Sequence, residues 1–161
     1  MNNFFKLDDE KKTVFFLSAA QRVIDQISDN TILSVCKFAM KNCWEQITDH
    51  NYNGEVLYDF LDNEENGITL LGEMIEDTNQ LAALNCVIDA IAYTSHYSYE
   101  KENIKFYPEP VMLVDDDLID HLIECYQTVS SDTLFISKLF DVLISDKTND
   151  LKTLKEIIEK L

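Results

Sequence analysis

No lysine or arginine occurs between Asn42 and Glu100, a run of fifty-nine residues in a chain of 161. That run holds twelve carboxylates, and a second cation-free run from Phe106 to Ser137 adds seven more. The whole chain carries a net charge of −17, so everything outside the two runs is slightly positive. Such uneven charge increases self-repulsion and does nothing for the fold, which makes it a statement about a partner. The missing cations exclude duplex nucleic acid as a direct ligand, because Lys and Arg must neutralise its phosphates. They also exclude docking on anionic membrane surfaces. A cationic partner remains, a basic protein.

Other absences narrow the choice further. Three Gly and two Pro leave few breakers, which favours helices joined by short connections. No apolar run approaches the roughly 18 residues of a membrane span. The first ten residues lack the apolar stretch of a signal peptide, so the expected location is the cytoplasm, with Cys36, Cys43, Cys86 and Cys125 reduced. There is no Walker loop, no G-x-S-x-G, no H-E-x-x-H and no dinucleotide fingerprint. No catalytic residue, cofactor or metal site is therefore assigned, and the oligomeric state is left open.

What is present is a folded domain. Hydrophobic content of 46% and nine Phe exclude a disordered acidic tail. The length fits a single helical domain over residues 1–161, with enough chain to bury a core. Apolar spacing is helical nearly throughout. It predicts an all-α fold, a compact bundle of seven or eight helices with one irregular, Pro-containing segment near 103–114.

Asp8 or Asp9 opens a helix to about Ile27, with Phe16, Ala20, Val23, Ile24 and Ile27 inward. A second carries Leu33, Cys36, Met40, Cys43, Trp44 and Ile47. A short helix runs from Glu55 to about Leu61, and residues 64–76 read as helical despite Gly67 and Gly72. Thr78 or Asn79 caps a central helix with Leu81, Leu84, Val87, Ile88, Ile91 and Ala92 on one face. Pro108 and Pro110 exclude a helix around them. Asp115 to Asp117 open the next helix (Leu118, Leu122, Tyr126 and Val129 inward). The one after it bears Leu134, Phe135, Leu139, Phe140 and Leu143. Asn149-Asp150 caps the last, where Lys152–Glu156 and Lys155–Glu159 have helix-supporting spacing.

Several side-chain groups invite a chemical reading. Carboxylates at Asp115 to Asp117 suit a first helical turn, where they meet unpaired N–H groups and the positive end of the helix dipole. Asp117, His121 and Cys125 lie along one helical line, yet a triad needs convergence around a substrate, so the expectation is a core-edge thiol and a half-exposed imidazole. Cys36 and Cys43 read as core thiols, since no metal-ligand spacing accompanies them. Tyr93, Tyr97 and Tyr99, near His96, form either a second aromatic layer of the core or interface anchors. Asp77, Asp115 to Asp117 and Asp132 are explained as helix starts. Glu55, Asp59, Asp62, Glu64, Glu65, Glu73 and Glu76 are not, and they are the expected partner-binding carboxylates, with Tyr93, Tyr97 and Tyr99 beside them as anchors.

The order of features resembles a known family. Leu17-Ser18-x-x-Gln21-Arg22-Val23 is followed by Trp44, by Gly54-x-x-Leu57-Tyr58-x-x-Leu61, by the helix from Cys86 to Tyr97 and by the Pro108/Pro110 turn. Over Phe16 to Gln127 this is similar to the all-helical immunity proteins of bacterial polymorphic toxin and contact-dependent inhibition systems, in particular the sixth Imm family. The resemblance implies a cytoplasmic, non-enzymatic protein that binds and neutralises a cognate toxin domain, often a nuclease. Two other readings stand beside it. An acidic adaptor or nucleic-acid mimic that occupies a DNA-binding protein requires carboxylates spaced like phosphates on an elongated surface. A metal-dependent enzyme would use paired carboxylates, Glu73 with Asp77 or Asp59 with Asp62.

Overall fold

The computed structural model describes residues 4–161; Met1 to Asn3, where the segment tested for a signal peptide begins, lie outside them. Nine α-helices and two short 3-10 turns make up the regular structure of the described residues, which contain no strand. Asp8 caps the first helix, α1 (Asp9–Val23), by accepting from the Lys11 N–H at 2.8 Å. A 3-10 turn, Ile24–Gln26, follows. Asp29 caps α2 (Asn30–Asp49) through the N–H groups of Thr31 and Ile32. His50 stops α2 in the left-handed region (φ 51°), where its own N–H still reaches the Gln46 carbonyl.

Next come α3 (Gly54–Leu61) and α4 (Ile68–Gly72), two short helices around a turn. The helix expected over 64–76 is thus cut down to the five residues of α4. Gly67 explains the interruption: a Cβ there would lie 2.6 Å from the Asn63 nitrogen, so its backbone packs directly on the preceding turn.

Asp77, rather than Thr78 or Asn79, caps α5 (Thr78–Lys101). This 24-residue helix packs against α1, α2, α3 and α4. It is buried nearly all round instead of along one stripe, although Leu81 stays 36% exposed. Pro108 and Pro110 do not exclude a helix: α6 (Glu109–Met112) begins at them, where a missing N–H is an orphan anyway. Then follow α7 (Leu118–Val129), α8 (Thr133–Ser145) and α9 (Leu151–Ile158), the last two capped by Asp132 and Asp150. Leu134, expected inward, is 67% exposed; Phe135, Leu139 and Leu143 fill the core instead. Lys152 does not use Glu156, but reaches Asp49 at 2.9 Å and ties α9 to α2.

One hydrophobic cluster runs from Phe4 to Ile158 and draws on α1, α2, α3, α5, α7, α8 and α9. Phe16 stacks on Tyr93 at 4.3 Å, and Phe15 on Phe140 at 4.5 Å.

Candidate partner-binding surface

The acidic segment is held from below by its backbone. Gln46 of α2 donates to the Asn53 carbonyl at 3.0 Å and accepts from the Asn53 N–H at 2.8 Å. Its carbonyl also accepts from the Ser98 hydroxyl of α5. One residue on, Ser95 donates to the Gly54 carbonyl and Glu102 accepts from the Gly54 N–H at 2.7 Å. Gly54 is required for this approach, since a Cβ would sit 2.5 Å from the Tyr99 ring. The start of α3 is therefore pressed onto the last turns of α5. At its other end, the Thr69 hydroxyl bonds the Leu61 carbonyl and joins α4 to α3.

On that support all seven expected carboxylates, Glu55, Asp59, Asp62, Glu64, Glu65, Glu73 and Glu76, are exposed. Among the described residues none of them takes part in an ion pair. Asp62 accepts from the Tyr58 hydroxyl at 2.6 Å, and that bond pushes the Tyr58 pKa up to about 12. Apolar side chains stand among the acids: Val56, Leu70 and Met74 are exposed, and Phe38 (58% exposed) meets Phe60 edge-on at 5.6 Å. Phe38, Asp59, Phe60 and Asn63 line a shallow groove between α2 and α3.

The tyrosines are placed differently from the expectation that they act as anchors. Tyr93, Tyr97 and Tyr99 are only 4–5% exposed, so their rings belong to the interior. The hydroxyl of Tyr93 donates to Asp116 at 2.8 Å, and that of Tyr97 points to Glu10. Burial pushes the pKa of both upward, and those neighbouring carboxylates add to it.

The Asp triplet divides its labour. Asp115 accepts from the Asp117 N–H, a local turn contact, whereas Asp117 makes no side-chain cap. Asp116 is a long-range link: it binds Lys12 at 2.7 Å as well as Tyr93. Burial opposes the charge on Lys12, but the bonds to Asp116 and Asp9 outweigh it and raise its pKa.

Cys125 and His121 do meet, with Sγ 3.6 Å from Nε2, but their carboxylate is Asp89 of α5 and not Asp117. Asp89 Oδ2 lies 2.7 Å from His121 Nδ1. The order of groups is that of a nucleophilic triad, yet the thiol is 8% exposed, and burial together with the charge of Asp89 raises its pKa. A nucleophile needs the opposite shift. The trio clasps α5 to α7. Burial also raises the pKa of Asp89, to about 6, despite the imidazole, and that of Cys36 and Cys43, to about 12. Glu73 ends α4 while Asp77 starts α5, so that pair does not share a helix. Among the described residues no group of three or more His, Cys, Asp or Glu side chains is arranged to hold a metal ion.

The family model described as Immunity protein Imm6 matches residues 11–129, well over half of the chain. The chain belongs to this family. Membership in Imm6 implies an immunity protein directed against a toxin, and it points to an inhibitor rather than an enzyme. The Imm6 match runs from the first turn of α1 to the end of α7, with all seven exposed carboxylates, and stops before α8 and α9. No curated protein and no solved structure matches the chain. No helix among the described residues is long and apolar enough to cross a membrane.

Proposed function

We propose that this chain neutralises a basic toxin domain, of the nuclease class, by binding it through the exposed carboxylates of residues 55–76. The observation that carries the proposal is that seven exposed carboxylates stand without one ion-pairing cation among the described residues, in a member of an immunity family. A nuclease presents cations because it must hold phosphate. An acidic inhibitor is drawn to that surface over long range and covers it. Association at ~10⁸ M⁻¹s⁻¹ is physically available to such pairs at low salt. Phe38, Val56, Leu70 and Met74 supply apolar contact among the acids. The mimic reading asks for a long row of charges; α3 and α4 have eight and five residues and a turn between them, which favours a compact patch.

The test is co-expression in cells with the toxin domain encoded immediately upstream. Native protein is expected to protect, and the variant Glu55→Lys/Asp59→Lys/Glu73→Lys to lose protection with no fall in melting temperature. Full protection by that variant would sink the proposal.

A further inference from the structure

Phe106 is 89% exposed, the most exposed large apolar side chain among the described residues. Its surroundings are not slack. Next to it, Tyr107 stacks on the buried Tyr99 at 4.5 Å and 9°. The Tyr107 hydroxyl donates to Glu100 at 2.7 Å and lies 3.2 Å from His96 Nδ1, which also meets the Val111 carbonyl at 3.0 Å. Before it, Asn103 turns the chain in the left-handed region (φ 57°) and Ile104 N–H bonds the Tyr99 carbonyl. The backbone is thus fixed on both sides of a ring that the fold leaves in water. Ile104, Met112 and Leu113 are exposed too, and widen the apolar area.

The loop adjoins the acidic segment. Tyr99, on which Tyr107 rests, is the ring against Gly54, and Glu102 binds the Gly54 N–H. Glu55, the first of the seven carboxylates, follows directly. Exposed acids also rim the loop itself: Glu100, Glu109, Asp115 and Asp117. Of its two cations, Lys101 lies over the Tyr97 ring at 5.2 Å and Lys105 is exposed beside Phe106, outnumbered by these four acids. A second copy of this chain, at −17, would bring the same acidic rim and be repelled. An apolar pocket bordered by cations fits instead.

We infer that Phe106 is the apolar anchor of the toxin interface, entering such a pocket on the partner while the acids around it meet the pocket's cationic border. This rests on the toxin-binding reading above. A preorganised aromatic loses little freedom on binding, and a desolvated aromatic at an interface is where affinity concentrates.

The experiment is calorimetric titration of a catalytically inactivated form of the upstream-encoded toxin domain into the full chain, at low and physiological salt. Phe106→Ala is expected to weaken binding by ~30-fold or more, through faster dissociation, with the melting temperature and the salt dependence unchanged. Phe106→Leu should fall between it and the native chain. Unchanged affinity for Phe106→Ala, with weakened binding by the Glu55/Asp59/Glu73 lysine variant, overturns the anchor and leaves the acidic reading standing. Weakening by Phe106→Ala alone supports the anchor and removes the carboxylates. If neither variant binds more weakly, both fall.

Discussion

The two ends of this bundle treat charge in opposite ways. Where α1, α2, α8 and α9 meet, five cations each have a carboxylate close by: Arg22 with Asp132, Lys37 with Asp25, Lys41 with Glu45, Lys152 with Asp49 and Lys155 with Glu159. Arg22 and Lys155 additionally lie over the rings of Phe135 and Trp44. Over α3 and α4, seven exposed carboxylates have no ion-pairing cation among the described residues. Exposed ion pairs add little stability, so the contrast is one of field. One end neutralises its charge internally; the other projects it outward. The family match covers the projecting end in full and leaves out α8 and α9, which supply several of the pairs.

The largest expected effect tests the projecting end. Glu55→Lys/Asp59→Lys/Glu73→Lys should weaken toxin binding by about 100-fold at low salt, measured by calorimetry, with less loss at high salt. Equal losses at both salts would mean that the segment acts by shape.

The next effect lies under neither surface. Asp89 is a carboxyl whose folded pKa is raised to about 6 from 3.8. The folded state therefore holds this proton more tightly than the unfolded one, and Asp89 lowers stability as pH rises from about 4 to 6. His121 is its hydrogen-bond partner, and the thiols of Cys125 and Cys86 lie close enough to feel its charge. Asp89→Asn should gain about 2–3 kcal/mol relative to the native chain across that window. Urea midpoints at pH 4 and pH 7 would show it, and a constant difference would refute it.

Gly54→Ala forces a methyl against Tyr99 and should cost about 2 kcal/mol. Urea denaturation reads the loss, and hydrogen exchange should place the loosening in α3. Lys155→Met removes a cation from Trp44 at the paired end and should cost about 0.5–1 kcal/mol, with no effect on toxin affinity. Loss of affinity there would erase the distinction between the ends. Raising salt from low to physiological should lift the melting temperature of the free protein by on the order of a few degrees, because screening relieves the unpaired acids. A flat response would show that they are not crowded.

Amphipathic, Asp-capped helices were legible in the sequence. The stripe of α2 and the caps Asp8 and Asp150 need only local chemistry, whereas α1 is buried on every face from Lys12 to Ala20 rather than along one stripe. The exposure of the seven carboxylates was legible too, since nothing near them offers a burial partner. Long-range contacts were not legible. Tyr93 and Tyr97 are core rings because Asp116 and Glu10, far away in sequence, receive their hydroxyls. Asp89 meets His121 across thirty-two positions, and no local pattern announces it. α6 was hidden because a proline forbids the interior of a helix but suits its first turn. Phe106 shares its neighbourhood with Tyr107, and only the fold shows that one ring is stacked and the other bare.

The joint between α2, α3 and α5 grips only main-chain atoms of Asn53 and Gly54: two carbonyls and two N–H groups. The outward side chains of α3 have no part in holding it. A lineage facing a changed adversary can therefore rewrite Glu55, Val56 and Asp59 one at a time, and recognition can drift while the architecture beneath it stays put.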